Sequence, residues 1–175
     1  MRAGISKKVI LFADEAGFSI HPKLGRVWCK KGTQPTVMTR SQHQKRLNVF
    51  GWVDPVSGKH GMLRAKKGNT IGFLSFLKNL LCRVAGIRIE LWVDNARWHK
   101  GMRIQHFCHQ HRRLTIEYLP KYHPELNYQE RLRKTMRYEE TTNTFYDEFD
   151  DLSASVFSRS RKWKPSKMRS LCNFI

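Results

Sequence analysis

Three carboxylates stand out by where they fall. Asp14 follows the apolar run at 8–13 (KVILFA), and Asp94 follows a second one at 87–93 (IRIELWV). Glu130 lies early in a helical stretch after Pro124. A short apolar run reads as a buried strand, so both aspartates are expected at strand ends. If the two strands are sheet neighbours, about 4.8 Å apart, their carboxylates share one edge of the sheet. Close carboxylates repel, and one takes up a proton unless a cation lies between them. A divalent ion resolves that conflict, and hard oxygen donors suit Mg2+ or Mn2+. Such ions serve phosphoryl transfer, activating water and stabilising the leaving oxygen. Glu130 is off the apolar stripe Tyr128, Leu132, Met136, so the core does not claim it. The plainer alternative is that acids at strand ends are ordinary solvated turn residues.

The charge of the chain bears on that choice. Its 175 residues carry 33 Lys+Arg against 14 Asp+Glu, a formal charge of +19. Residues 139–175 hold six basic residues and six acids, so the whole excess lies in 1–138. Such a surplus points to a polyanion. A membrane surface fits less well, because the charge is not gathered on one amphipathic helix. An acidic cluster kept within so basic a segment calls for a reason, and metal binding is one.

The elements that must position the acids can be read in order. Strands are expected at 8–13, 26–29, 36–37, 45–53 and 60–66, the last two flanking the turn Asp54–Gly58. A helix capped by Asn69 or Thr70 carries Phe73, Leu77, Leu80, Leu81 and Val84 at helical spacing and stops at Gly86. Then come the strand at 87–93, a helix over 100–111, a strand at 114–119, and helices at 125–137 and 146–157. The run SRSRKWKPSK reads as a basic tail. This order suits a mixed α/β sheet covered by helices. A 40% hydrophobic composition supports a folded domain, and no apolar run approaches the roughly 20 residues that span a bilayer. The basic start MRAGISKK with its short run VILFA falls short of a signal peptide, so an intracellular, cytoplasmic location is expected. The four cysteines, Cys29, Cys82, Cys108 and Cys172, form no CxxC pair and read as reduced thiols.

Other candidates weigh less. Glu15 can ligate metal, but on a strand it points to the face opposite Asp14. Asp54 precedes Pro55 and reads as a turn residue. His106, Cys108, His109 and His111 do not converge as a four-ligand zinc site requires. Trp92 belongs in the core, whereas Trp98 and Trp163, set among Lys and Arg, are the better candidates for stacking on DNA bases.

The segments LFADEAGF, LWVDNARWHKG and YLPKYHPELNYQERLRK resemble the three motif blocks of DDE transposases, in particular the bacterial insertion-sequence relatives of mariner. The matching residues are Asp14, Asp94 and Glu130, the last two 36 positions apart as in the family. The linking segments Trp28–Gly32 and Thr141–Asn143 resemble it too. Tyr128 stands where the family often has proline, His123 where it often has serine, and Arg133 where tryptophan is common. The resemblance implies an RNase H-like mixed sheet flanked by helices over 1–157, followed by a basic C-terminal tail at 158–175. It implies Mg2+ or Mn2+ held by Asp14, Asp94 and Glu130, with His99 near the site and in reach of phosphate, a surface or core histidine being the equal alternative. The implied activity is cleavage of a transposon end and transfer of the freed 3′-hydroxyl to target DNA, at TA dinucleotides by the family's habit. The implied partners are transposon ends and target DNA at the bacterial nucleoid, and a second copy of the chain on DNA. Relatives usually carry a helix-turn-helix recognition segment before the first strand. None is seen before residue 8, so a separate recognition subunit is expected, as for half of a split element or a trimmed copy. A catalytically inactive DNA-binding remnant and a general nuclease of the same fold remain open.

Overall fold

A computed structural model describes residues 8–39 and 45–172. Strands β1 (Lys8–Ser19), β2 (Arg46–Val53) and β3 (His60–Ala65) form an antiparallel meander. Helix α1 (Thr70–Arg83) carries the chain back across the sheet to β4 (Arg88–Val93), which pairs in parallel with β1. Helix α2 (Met102–Gln110) leads on to β5 (Leu114–Tyr118), parallel to β4. The sheet order is β3-β2-β1-β4-β5. Three more helices follow: α3 (Tyr128–Thr141), α4 (Phe149–Lys162) and α5 (Pro165–Cys172). Among the described residues no helix is long and apolar enough to cross a membrane.

Side chains alternate across the sheet and split the interior in two. Leu11, Ala13, Phe50, Trp52, Ile89, Leu91 and Val93 point to one face, against Phe73, Phe76, Leu77 and Leu80 of α1 and Ile104 and Phe107 of α2. Ala16, Phe18, Leu47, Val49 and Val53 point to the other, against Leu132 and Met136 of α3, Leu152 and Val156 of α4, and Met168 and Cys172 of α5. Each such large apolar side chain stabilises the fold by about 1.5–3 kcal/mol on full burial. The helix starts follow capping chemistry. Asn69 accepts from the Gly72 amide at 2.9 Å to begin α1, and the Glu148 amide donates to the Asp151 carboxylate at 3.3 Å to begin α4.

Four expectations need correction. Strand β1 does not end at Asp14. Its pairing with β4 stops at Phe12↔Trp92, but its pairing with β2 runs on to Ser19↔Arg46. Residues 26–29 and 36–37 form no strand, because the backbone leading into them is tied to the end of α3 instead. The Lys23 amide donates to the Thr141 carbonyl at 2.9 Å, and Asn143 bonds Gly25 in both directions, at 2.9 and 3.1 Å. The helix expected over 125–137 starts later and ends later. Pro124–Leu126 is a single 3-10 turn, and Asn127 then accepts from the Gln129 amide at 3.1 Å to cap α3. Finally, the tail expected at 158–175 is not one: residues 158–172 complete α4 and form α5, burying Trp163, Met168 and Cys172, while 173–175 lie outside the described residues. All four cysteines are free thiols.

Candidate active site

Register decides where the acids point. Phe12 and Trp92 are partners across the parallel pair β1/β4, and their rings stack at 6.4 Å on the α3 side of the sheet. Two residues further along each strand stand Asp14 and Asp94, which therefore emerge on that same face and at the same end. Glu15 points the other way, toward Gly68 ahead of α1, and is absent from the site. Glu130, in the first turn of α3, completes the set. Asp14, Asp94 and Glu130 line one cavity of about 510 Å3 together with Asn95, Asn127, Arg133 and the loop 119–124.

The start of α3 is held onto the sheet by contacts no motif announced. Asn127 is buried and donates its side-chain amide to the Ala13 carbonyl at 3.3 Å, one residue before Asp14. Gly51 is the antiparallel partner of Asp14. The Gln129 side chain lies directly on Gly51, where an added Cβ would come 2.0 Å from Gln129 Nε2. The missing side chain at Gly51 thus lets the residue before Glu130 settle against the strand that carries Asp14. The helix expected over 125–137 places Asn127 inside it, so its capping role comes from the structure, and the Gly51–Gln129 approach has no local sequence signal.

The environments of the acids differ. Burial pushes the Asp14 carboxyl up to about 6, against the Arg133 charge and the Glu15 amide (2.8 Å), which favour ionisation, and with Asp94 and Glu130 adding to the rise. Asp94 lies below the usual carboxylate range, chiefly because His99 Nδ1 bonds its Oδ1 at 2.8 Å. His99 is itself buried, packed on Phe73 and Trp98 with centroid distances of 4.3 and 3.8 Å. It therefore orients Asp94 from behind rather than reaching phosphate as expected. Trp98 packs on Phe50 and Phe73, and Trp163 is buried with its N–H on Glu139 at 3.0 Å, so neither is free to stack on a base. Trp92 is half-buried, stacked on Phe12 with its N–H on Glu90.

Arg133 shapes the pocket most. Its guanidinium ion-pairs with Glu130, lies 3.6 Å from Asp14 Oδ2 and donates to the Glu15 carbonyl at 3.2 Å. Burial works against its charge, yet Glu130, Asp14 and Asp94 together raise its pKa above the ordinary value. The donors suit a divalent ion in kind: hard carboxylate oxygens, one of them in a carboxyl that burial makes costly to ionise alone. Their three charges outweigh the one guanidinium among them. Among the described residues, however, no three His, Cys, Asp or Glu side chains stand close enough together to grip an ion as they are.

Residues 9–153 match the family model of the DDE superfamily endonucleases, and the chain belongs to that family. It is similar to the 39 kDa protein of insertion element IS630 from Shigella sonnei, at 29% identity over 124 residues, covering 70% of this chain and 36% of that protein. Among solved structures it resembles the Mos1 strand transfer complex (TM-score 0.68, 18% identity, 94% of this chain and 50% of that chain). It resembles the Mos1 mariner paired-end complex with Mn (TM-score 0.70, 19% identity, 94% and 51%). The catalytic domain of Mos1 mariner transposase aligns at TM-score 0.63 and 15% identity, over 94% and 75%. The chain spans about a third of the insertion-element protein and about half of each Mos1 complex chain. These likenesses establish the expected fold: an RNase H-like mixed sheet flanked by helices.

Proposed function

We propose that this chain is the catalytic domain of a transposase, cutting and joining DNA strands with divalent metal held by Asp14, Asp94 and Glu130. One observation carries the reading: in a chain of charge +19, three acids from three separate elements face one cavity. Membership of the endonuclease family supports it. So do the Mos1 structures: a strand transfer complex, paired-end complexes with Mn and with Mg, and a paired-end complex with the left transposon end. Bound divalent ions would supply water activation and stabilisation of the leaving oxygen. The residues' own tasks follow from their contacts. Asp14, half-buried beside α3, offers a carboxylate that needs a cation. His99 fixes the orientation of Asp94. Asn127, bonded to β1, sets where the first turn of α3 presents Glu130. The Lys and Arg excess holds the DNA backbone, making duplex affinity steeply salt-dependent and nearly blind to sequence. Transposon ends and target DNA are the proposed substrates, with a second copy of the chain on DNA, recognition supplied by a separate helix-turn-helix segment, and action at the nucleoid. One observation favours the rival, an inactive DNA-binding remnant: Arg133 sits among the acids.

A supercoiled plasmid nicking assay in Mn2+ tests the proposal. The wild type should nick, while Glu130→Gln and Asp94→Ala should lose nicking and keep DNA affinity. Equal nicking by wild type and Glu130→Gln refutes the role of Glu130, and no nicking by a wild type that binds Mn2+ favours the remnant.

A further inference from the structure

We propose that Arg133 is a built-in counter-ion of the acidic pocket, which a divalent cation must displace, so that this one side chain sets the metal affinity of the site. The inference rests on the reading that Asp14, Asp94 and Glu130 hold metal. Arg133 makes three contacts there, to Glu130, to Asp14 and to the Glu15 carbonyl, and so joins two of the three acids. Its Nε is buried with no hydrogen-bond partner among the described residues. A guanidinium that leaves a donor unsatisfied is held in place by the attraction of its other nitrogens to the carboxylates, not by a complete set of bonds.

The other cations nearby do not share this position. Lys134 approaches Glu130 Oε1 at 3.6 Å, but its side chain is 71% exposed and screened by water. Arg137 donates to the Gly17 carbonyl at 3.1 Å, further along β1. Arg133 and a divalent ion therefore compete for the same two carboxylates, and like charges a few ångströms apart in a half-buried pocket exclude each other. The Arg133 side chain is 24% exposed, so solvent already reaches it, and a long flexible stem lets the head move outward. The guanidinium then plays opposite parts in the two states. Without metal it is the counter-charge that Asp14 and Glu130 share. With metal it is the group that must leave.

Mn2+ titration followed by electron paramagnetic resonance reads this directly, on the whole chain and without any turnover. Arg133→Gln should bind Mn2+ more tightly than wild type by about tenfold, the order expected for removing a unit charge beside a divalent ion in a partly screened site. Lys134→Gln should change affinity less than about twofold, as befits a screened surface charge. In a chelator, Arg133→Gln should melt below wild type, and saturating Mn2+ should raise its melting temperature more than that of wild type. Arg133→Lys keeps the charge but loses the planar fork; it should bind Mn2+ with intermediate affinity, and serves if the glutamine variant fails to fold. Folded Arg133 variants with unchanged or weaker Mn2+ binding overturn the proposal. Adding Asp94→Asn to wild type and to Arg133→Gln separates the two levels: Mn2+ binding that survives it in both backgrounds overturns the metal-site reading itself, and the role of Arg133 with it.

Discussion

Replacing Gly51 with alanine puts a methyl group where the Gln129 side chain now lies. The new Cβ would stand 2.0 Å from Nε2 and 3.0 Å from Cδ of Gln129, which is itself buried. The amide must move, and overpacking of this kind costs about 1–3 kcal/mol. Alanine in place of a strand glycine recovers about 0.5–1 kcal/mol of backbone entropy. The net loss is about 0–2.5 kcal/mol, or a fall in melting temperature of up to about 10 °C for a chain of this length. The sign should reverse when Gln129 is first cut back to alanine. With the obstacle gone only the backbone gain remains, and Gly51→Ala should then be neutral or stabilising by about 0.5–1 kcal/mol. Denaturant melts of the four members of this cycle, in chelator, measure the coupling. If Gly51→Ala costs as much in the Gln129→Ala background as alone, the strand and helix do not meet there, and the placement of Glu130 loses its support.

Three further outcomes follow from the site and its surroundings. Because burial raises Asp14 to about 6 from an ordinary 3.8, the folded state binds that proton more tightly than the unfolded chain. The metal-free protein should therefore lose stability as pH rises from about 4 through 6, by about 3 kcal/mol, and Asp14→Asn should remove that part of the slope in chelator melts at stepped pH; parallel wild-type and variant curves contradict the burial of a costly charge. His99→Phe should raise the Asp94 carboxyl toward its usual range in a carbon-13 titration of the metal-free protein, because the bond from His99 is the main force lowering it; an unmoved resonance would mean that the bond does not govern Asp94. Tyr122 holds a left-handed backbone (φ 64°) and is 95% exposed. Tyr122→Gly should stabilise by about 0.5–1 kcal/mol, and a lower melting temperature would show that the ring contributes more than the strain costs.

Much of the site could be read from residue order alone because alternation along a strand is a strict rule. Once 8–13 and 87–93 are parallel neighbours in the register that sets Phe12 opposite Trp92, Asp14 and Asp94 share a face and Glu15 opposes Asp14. The apolar stripe of α3 likewise turned Leu132 and Met136 inward. What escaped depends on contacts distant in sequence. Nothing around Asp14 says that β1 keeps pairing with β2 after β4 has left it. Trp98 and Trp163 looked available to DNA because basic neighbours surround both, but neighbours in sequence need not share a face, and the indoles turned inward. Pro165 interrupts the apolar spacing of Trp163, Met168 and Cys172, so a basic, helix-broken segment hid three core residues. Arg133 could be seen one turn from Glu130, but its simultaneous reach to Asp14 needed the helix laid on the strand.

The burial of those last residues changes what counts as the smallest workable unit. The family match closes at residue 153, inside the first turns of α4. A fragment cut there would keep every acid of the pocket yet lose Val156, Trp163, Met168 and Cys172, all buried in the cluster that also holds Leu132 and Met136 of α3. The helix presenting Glu130 would then have solvent along a flank it was built to hide. Residues 154–172 work as a buttress, remote from the chemistry yet bearing on it through α3, and substitutions there should disturb the pocket as readily as changes at its rim.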